Sequence, residues 1–201
     1  MISKRRFHVT ITMAEPILGS QPNKNVKTIY IENISKLDEV PEDEAVSLPE
    51  ALEKGTTGFH RDPNGNLLLF DYQVKGFLKA SAQVNNGIVH GNIKALKSKV
   101  INYVFVFPRK IKLNLPEGGV LEYIERPLGA MTAQGPRVAL ARSEMLPVGT
   151  WFEVEIMLYS DVINSDVLTD ILDYGALQGL GQWRSGGWGR FTYKMEEILP
   201  K

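Results

Sequence analysis

Cysteine is absent from the 201 residues, which removes disulfides and cysteine-based zinc sites from consideration. Excess charge of either sign is also absent, since 23 Lys and Arg face 23 Asp and Glu. Many nucleic-acid-binding domains are basic, so this balance lowers the expectation of that function. It does not exclude it, because binding needs a local positive surface and not a positive total. Apolar runs such as Val104 to Phe107 fall far short of the ~20 residues that span a bilayer. The charged start Met1-Ile2-Ser3-Lys4-Arg5-Arg6 has no apolar segment behind it, so no secretory signal is expected. These absences lead to the expectation of a cytoplasmic protein with no membrane partner.

Several catalytic signatures are missing as well. There is no G-x-x-x-x-G-K-[ST] run, which argues against a nucleotide triphosphatase, and no G-x-S-x-G nucleophile elbow. The histidines are His8, His60 and His90, none close to another. Without cysteine they make a poor metal set, and neither metal nor cofactor is expected. His8-Val9-Thr10 is half of a two-histidine phosphodiesterase signature whose second half is absent.

What is present is an ordinary globular composition, 43% apolar and 23% charged. A chain of this length buries roughly 70% of its unfolded surface, and one domain over 1–201 is expected. The acids concentrate in Asp38 to Glu53. The bases concentrate at Lys4–Arg6, Lys94–Lys112, Arg126–Arg142 and Arg184–Arg190. If the acidic stretch folds away from the others, a basic face remains.

Periodicity gives the elements. Phe7, Val9, Ile11 and Met13 alternate with His8, Thr10 and Thr12, a half-buried strand. Ser20 to Asn66 is a long polar insertion broken by prolines and glycines, of the kind that is functional or partly disordered. A short helix fits Leu48 to Lys54. Asn64-Gly65 predicts a hairpin pairing His60–Asp62 with Leu67–Asp71. A helix is predicted from Val74 to Ala82, stopping at Asn85-Asn86-Gly87 and restarting through Ile93 to Leu96. Ile101–Phe107, Ile111–Leu115, Glu122–Arg126, Arg137–Glu144, Trp151–Leu158 and Arg190–Met195 read as strands. The loop Met131 to Pro136 lies between Glu122–Arg126 and Arg137–Glu144. A second helix fits Ser165 to Tyr174, with Ser165 as N-cap and Gly175 as its end. The order accommodates an α+β, ferredoxin-like (RRM-like) βαββαβ core with insertions.

The densest signal is Gly175 to Phe191, with glycines at 175, 179, 181, 186, 187 and 189. Such a loop lets backbones approach closely and can turn N–H groups toward phosphates. Arg184 and Arg190 add charge, and Trp183 and Trp188 add stacking faces. A plain tight crossover with core tryptophans explains the same residues equally well.

Gly179-Leu180-Gly181, five residues, then Gly187-Trp188-Gly189 resembles the C-terminal glycine-rich loop of the RAMP superfamily, the CRISPR-associated RNA-binding and RNA-processing subunits. Lys75, Gly76, Leu78 and Lys79 are similar to the run that opens the first helix of RAMP subunits, although Tyr72-Gln73-Val74 replaces the small residues usual there. Arg126–Glu144 resembles a hairpin that folds over bound RNA. The resemblance implies a ferredoxin-like fold that binds RNA, including guide or CRISPR RNA, beside other RAMP-like subunits or copies of itself. It implies phosphate contacts from Lys75, Lys79, Arg184 and Arg190, and hairpin contacts from Arg137 and Arg142.

Some RAMP proteins are metal-independent endoribonucleases with a histidine acid or base, and histidine suits that task by its pKa. His8, on the polar face of the first strand, is the candidate, against its ordinary reading as an exposed strand residue. His60 and His90 read as structural. Other RAMP subunits use an aspartate after the first strand. Asp38, Asp43 and Asp62 fall there, and a solvated acidic surface is the commoner origin of such residues. Neutral charge and the acidic insertion also fit an assembly protein, prokaryotic or phage-encoded, that keeps the fold without nucleic acid.

Overall fold

The structure is a computed structural model that describes residues 4–22, 56–88, 92–132 and 135–199, with backbone alone for 22 and 128–140. In chain order its first elements are strands β1 (Lys4–Met13), β2 (Ile17–Leu18), β3 (Gln21–Pro22), β4 (Thr56–Gly58), β5 (His60–Arg61) and β6 (Leu67–Phe70). Helices α1 (Asp71–Val84) and α2 (Leu96–Tyr103) follow, then strands β7 (Val104–Phe107), β8 (Lys110–Lys112), β9 (Glu122–Thr132), β10 (Gly135–Leu146) and β11 (Trp151–Tyr159). Helix α3 (Ser165–Gln178) and strand β12 (Phe191–Ile198) complete this mixed α/β chain.

The chain divides into two compact units. The first comprises Met1–Ile17, His60–Val120 and Leu146–Lys201. Its main sheet runs β12-β1-β11-β7, antiparallel throughout. Strand, helix, strand is thus used twice, as β1-α1-β7 and as β11-α3-β12, and the second strand of each half takes a sheet edge. The alternation of β1 explains its place. Phe7, Val9, Ile11 and Met13 are at most 2% exposed, opposite Ile156, Val154 and Phe152 of β11. The apolar faces of α1 (Val74, Phe77, Leu78, Ala82) and α3 (Val167, Leu168, Ile171, Leu172) are buried as well. Phe77 meets Phe191 edge to face at 5.5 Å.

A smaller sheet, β5-β6-β8, lies in the same unit. Its hairpin is the one Asn64-Gly65 predicts, with Gly65 at φ 82°. The Asp62 carboxylate accepts from the Asn64 and Asn66 backbone N–H groups and from the Asn66 side chain. Those bonds hold its pKa below the usual carboxylate value, the Asn66 amide contributing most. Asp62 is therefore a turn-forming residue by geometry. Asp38, Asp43 and the helix predicted at Leu48 to Lys54 lie outside the described residues.

The second unit is Leu18–Phe59 with Leu121–Met145. β9 and β10 form an antiparallel hairpin, β4 runs parallel to β10, and β3 pairs with β4. The buried Glu144 carboxylate accepts from the Phe59 N–H at 2.8 Å. The hairpin is longer than expected, since pairing continues to Thr132 and Gly135. Ala133 and Gln134 lie outside the described residues.

Three expectations are corrected. The strand predicted at Ile101 is helix through Tyr103, and α2 begins at Leu96, after the turn at 94–95. Ile101, Asn102 and Tyr103 point outward while the Val104 N–H still donates to Val100 O, so the helical ladder overrides β-branched propensity. The N-cap of α3 is Asn164, whose side chain accepts from the Val167 N–H at 3.0 Å, and not Ser165. Gly175 does not end α3, which runs to Gln178 with Gly179 at its end. Gly175 is instead a contact point between helices, because a Cβ there would stand 2.8 Å from the Phe77 ring.

Gly175→Ala therefore sets overpacking, about 1–3 kcal/mol, against the helix gain of about 0.5–1 kcal/mol. A net destabilisation of about 1–2 kcal/mol is expected from these terms. Urea unfolding measures it, and an unchanged or higher midpoint would show that the helices part at no cost.

Candidate functional site

The glycine-rich segment forms where α3 ends. Gly179 has φ 88° and Gly189 φ 74°, both in the left-handed region that glycine tolerates. A Cβ on Gly179 would lie 2.4 Å from Trp188 O, and one on Gly189 would lie 1.8 Å from Leu180 O. The two Gly-x-Gly pieces thus cross backbone against backbone. The Leu180 N–H donates to Gly189 O at 2.8 Å, and the Gly189 N–H donates to Pro16 O at 2.9 Å. Arg190 O accepts from the Ala14 and Glu15 N–H groups. The loop is stitched to the turn that follows β1.

This geometry uses the amides that the sequence offered to phosphates. The N–H groups of Gly179, Leu180, Gly186, Gly187 and Gly189 all donate within the protein. Side chains add to what the loop presents. Trp183, at φ 56°, is 40% exposed and stacks on Trp188 with centroids 6.0 Å apart and planes 20° apart. A Cβ on Gly186 would stand 2.8 Å from the Trp183 indole, so that glycine makes room for the ring. Arg184 opens a 3₁₀ turn closed by Gly187 at φ 86°. Exposed Arg190 donates from Nε to Leu177 O at 3.2 Å. Gly181, at φ 88°, lies between the crossing and this turn.

The helix α1 carries Lys75, Gly76 and Lys79. Gln73 accepts from the Phe70 N–H, and Asp71 sits in the first turn, both favourable at a helix N-terminus. Lys75 does not extend freely into solvent. Its ammonium donates to Val100 O at 2.7 Å and to Val104 O, over the Phe105 ring. Burial, and then the charge of Lys79, push its pKa down to about 8. Gly76 has open space where a side chain would stand, so packing does not require glycine there.

His8 lies on the outer face of β1, its register partners Glu155 on β11 and Glu196 on β12. Its Nε2 is 3.4 Å from Glu153 Oε1, and Arg6 pairs with Glu155. The face around His8 is therefore rich in carboxylates. Arg142, in the second unit, lies over the Tyr123 ring at 4.3 Å, with Nε 3.7 Å from Glu125. Arg137 pairs through its backbone with Ala130, and its side chain lies outside the described residues, as does His90. Among the described residues no cluster of His, Asp and Glu is arranged to hold a metal. Among them, too, no helix is long and apolar enough to cross a membrane.

One cluster escaped the sequence reading. On the small sheet and the start of α1, Phe70 and Tyr72 stack at 5.5 Å, 12° apart. His60 meets Phe70 edge-on at 4.4 Å and contacts the Tyr72 hydroxyl through Nε2 at 3.2 Å. Arg109 lies 5.9 and 5.8 Å from the two ring centroids and pairs with Asp71 at 2.9 Å. Burial lowers the His60 pKa, favouring the neutral ring. The signal was the placement of Phe70 and Tyr72 beside the basic run ending at Lys112, invisible until β6 and β8 pair.

No protein-family model matches the chain, and no curated protein matches it significantly. Solved structures do. A chain in the cryo-EM structure of the Type III-B Cmr-beta bound to cognate target RNA superposes with a TM-score of 0.52 at 15% identity. The match covers 97% of this chain and 61% of that one, so this chain spans about three fifths of its length. The likeness is one of fold.

Two predictions follow from the geometry. Gly189→Ala is expected to cost more than about 3 kcal/mol, because backbone must move to admit the methyl. Gly76→Ala should instead stabilise α1 by roughly 0.5–1 kcal/mol, and denaturant midpoints that rank the two otherwise would refute the crossing. Lys75 gives the other. With its folded pKa lowered, the folded state binds fewer protons than the unfolded state between about pH 8 and 10.5. Stability therefore rises with pH through that window. After discounting for partial exposure and the carbonyl partners, wild type should gain ~1 kcal/mol over Lys75→Met between pH 7.5 and 10.5. A pH-independent difference in urea unfolding would contradict this.

Proposed function

We propose that this chain is an RNA-binding subunit of the RAMP kind, working in the cytoplasm within a CRISPR-type ribonucleoprotein or a related prokaryotic or phage assembly. Its first unit is read as a ferredoxin-like, RRM-like βαββαβ core, the reading that the β12-β1-β11-β7 order supports. The observation that carries the proposal is the fold likeness over 97% of the chain to a chain from an RNA-bound Cmr structure. The glycine crossing between the last helix and the last strand supports it independently. Its partners are RNA, of the guide or CRISPR type, and other RAMP-like subunits or copies of itself.

In this reading the glycines hold the loop and the side chains touch RNA. Arg184 and Arg190 neutralise phosphates, Trp183 offers a stacking face, and Lys79 adds charge along α1. Lys75, tied to carbonyls, contributes mainly to the seat of α1. Arg137 and Arg142 on the β9–β10 hairpin contact RNA or a neighbouring subunit. Catalysis by His8 has weaker support, since Glu153, Glu155 and Glu196 surround it and repel a scissile phosphate. That same acidic face favours the second reading, an assembly protein without nucleic acid.

Titration of the full chain with short single-stranded RNAs across a salt series tests the proposal. Wild type should bind with an affinity that falls as salt rises, and Arg184→Ala and Arg190→Ala should each lower the logarithmic salt slope by about 0.7. Oligomers that form without RNA, and no salt-sensitive binding to any RNA tried, would favour the assembly reading.

A further inference from the structure

A cleft of about 310 Å³ opens between the start of α1 and the outer edge of β7. It is lined by Tyr72, Phe105 and Phe107, by Ile101, Val104 and Val106, and by Lys75 and Asp71. Such a volume is at the lower end of ligand pockets, ~300–1,000 Å³. The three aromatic residues remain 40–46% exposed. Exposed rings gathered in one concavity mark a binding surface more often than chance.

The rings are also held in place. Tyr72 is backed by Phe70, touched at its hydroxyl by His60 and covered in part by Arg109, so it loses little freedom on binding. The charge beside Tyr72 is positive, while Phe107 pairs in register with Glu155, which is itself ion-paired with Arg6. Arg109, Lys110 and Lys112 are exposed on the same small sheet and the turn leading to it. Lys112 pairs in register with Leu68, and Lys110 with Phe70, so both cations share the face that carries Phe70. Acidic Asp71 is paired with Arg109, and Asp62 is engaged in its turn. An aromatic wall beside a line of cations matches single-stranded nucleic acid, whose bases stack while its phosphates are neutralised.

The alternative occupant for a cleft at a sheet edge is a peptide strand, and the edge itself argues against it. Strand addition needs consecutive free backbone groups. Here the Val104 N–H already donates to Val100 O, and Val104 O accepts from Lys75. The helix and the lysine together close that part of the edge.

We infer that the cleft walled by Tyr72, Phe105 and Phe107 is a stacking site for an unpaired base of single-stranded RNA, with the flanking phosphates on Arg109 and Lys110. The inference rests on the RNA-binding reading and adds to it a site away from the glycine loop. The base stacks against the aromatic lining that Tyr72, Phe105 and Phe107 provide.

The test uses the full chain and a short uridine RNA bearing one 2-aminopurine, whose fluorescence falls on stacking. Wild type should quench it. With Trp183→Leu in place in every variant to remove the stacking face of the glycine loop, Tyr72→Leu and Phe107→Leu should abolish the quench and weaken binding roughly 5- to 100-fold, the range of one stacked base. Their salt slope should stay at the wild-type value, whereas Arg109→Ala should lower it by about 0.7. Tyr72→Phe, which keeps the ring, should retain the quench. RNA bound without quenching, or a quench that survives Tyr72→Leu, would overturn the stacking site and leave the RNA-binding reading intact. Absence of RNA binding by wild type at low salt would overturn both. The wild-type quench is read without any variant, so a variant that fails to fold does not remove the test.

Discussion

At Leu180 and Gly189 the backbone crosses itself with no room for a side chain between the strands of the crossing. Everything at that end of the main sheet depends on this approach. It turns the chain out of α3 and delivers Phe191 to the side of Met13, where β12 begins to pair with β1. It also brings Phe191 against Phe77, so that the two helices and the edge strand share one core. The Pro16 and Arg190 carbonyls lock the crossing to the turn after β1. Glycine is required there for two separate reasons, a positive φ and the absence of Cβ, and no other residue meets both.

The neutral total charge conceals an uneven surface. Around His8 the main sheet carries Glu153, Glu155 and Glu196. The small sheet and its approach carry Arg61, Arg109, Lys110 and Lys112. Interactions between exposed charges fade over a Debye length of about 8 Å at physiological salt, so a polyanion responds to the local patch and not to the sum. This is why a zero net charge is compatible with the proposed RNA-binding role, and why the sheet face holding His8 is the less favourable place for a phosphate.

Some of this was legible residue by residue. The alternation Phe7-Val9-Ile11-Met13 gave the central strand and its buried face, because period-two patterns survive any tertiary context that buries one side. Asn64-Gly65 gave the hairpin, since few residues accept its positive φ. The α2–β7 boundary was not legible. Ile101, Tyr103, Phe105 and Phe107 look alike in propensity, and only the Val100–Val104 hydrogen bond and the Lys75 contact divide helix from strand. Gly175 was misread as a stop because a glycine near a helix end has that meaning locally, while its actual role is set by Phe77 on another helix.

The sequence by itself determined the elements with strict periodicity, the turns that need particular residues, and the glycine spacing. These are local properties, written in neighbours a few positions apart. Tertiary structure alone decided what those glycines do, that Lys75 caps carbonyls instead of reaching solvent, and that Phe70, Tyr72, His60 and Arg109 meet. Each of those outcomes depends on groups brought together by strand and helix pairing between distant parts of the chain, and no local pattern records which partner will arrive.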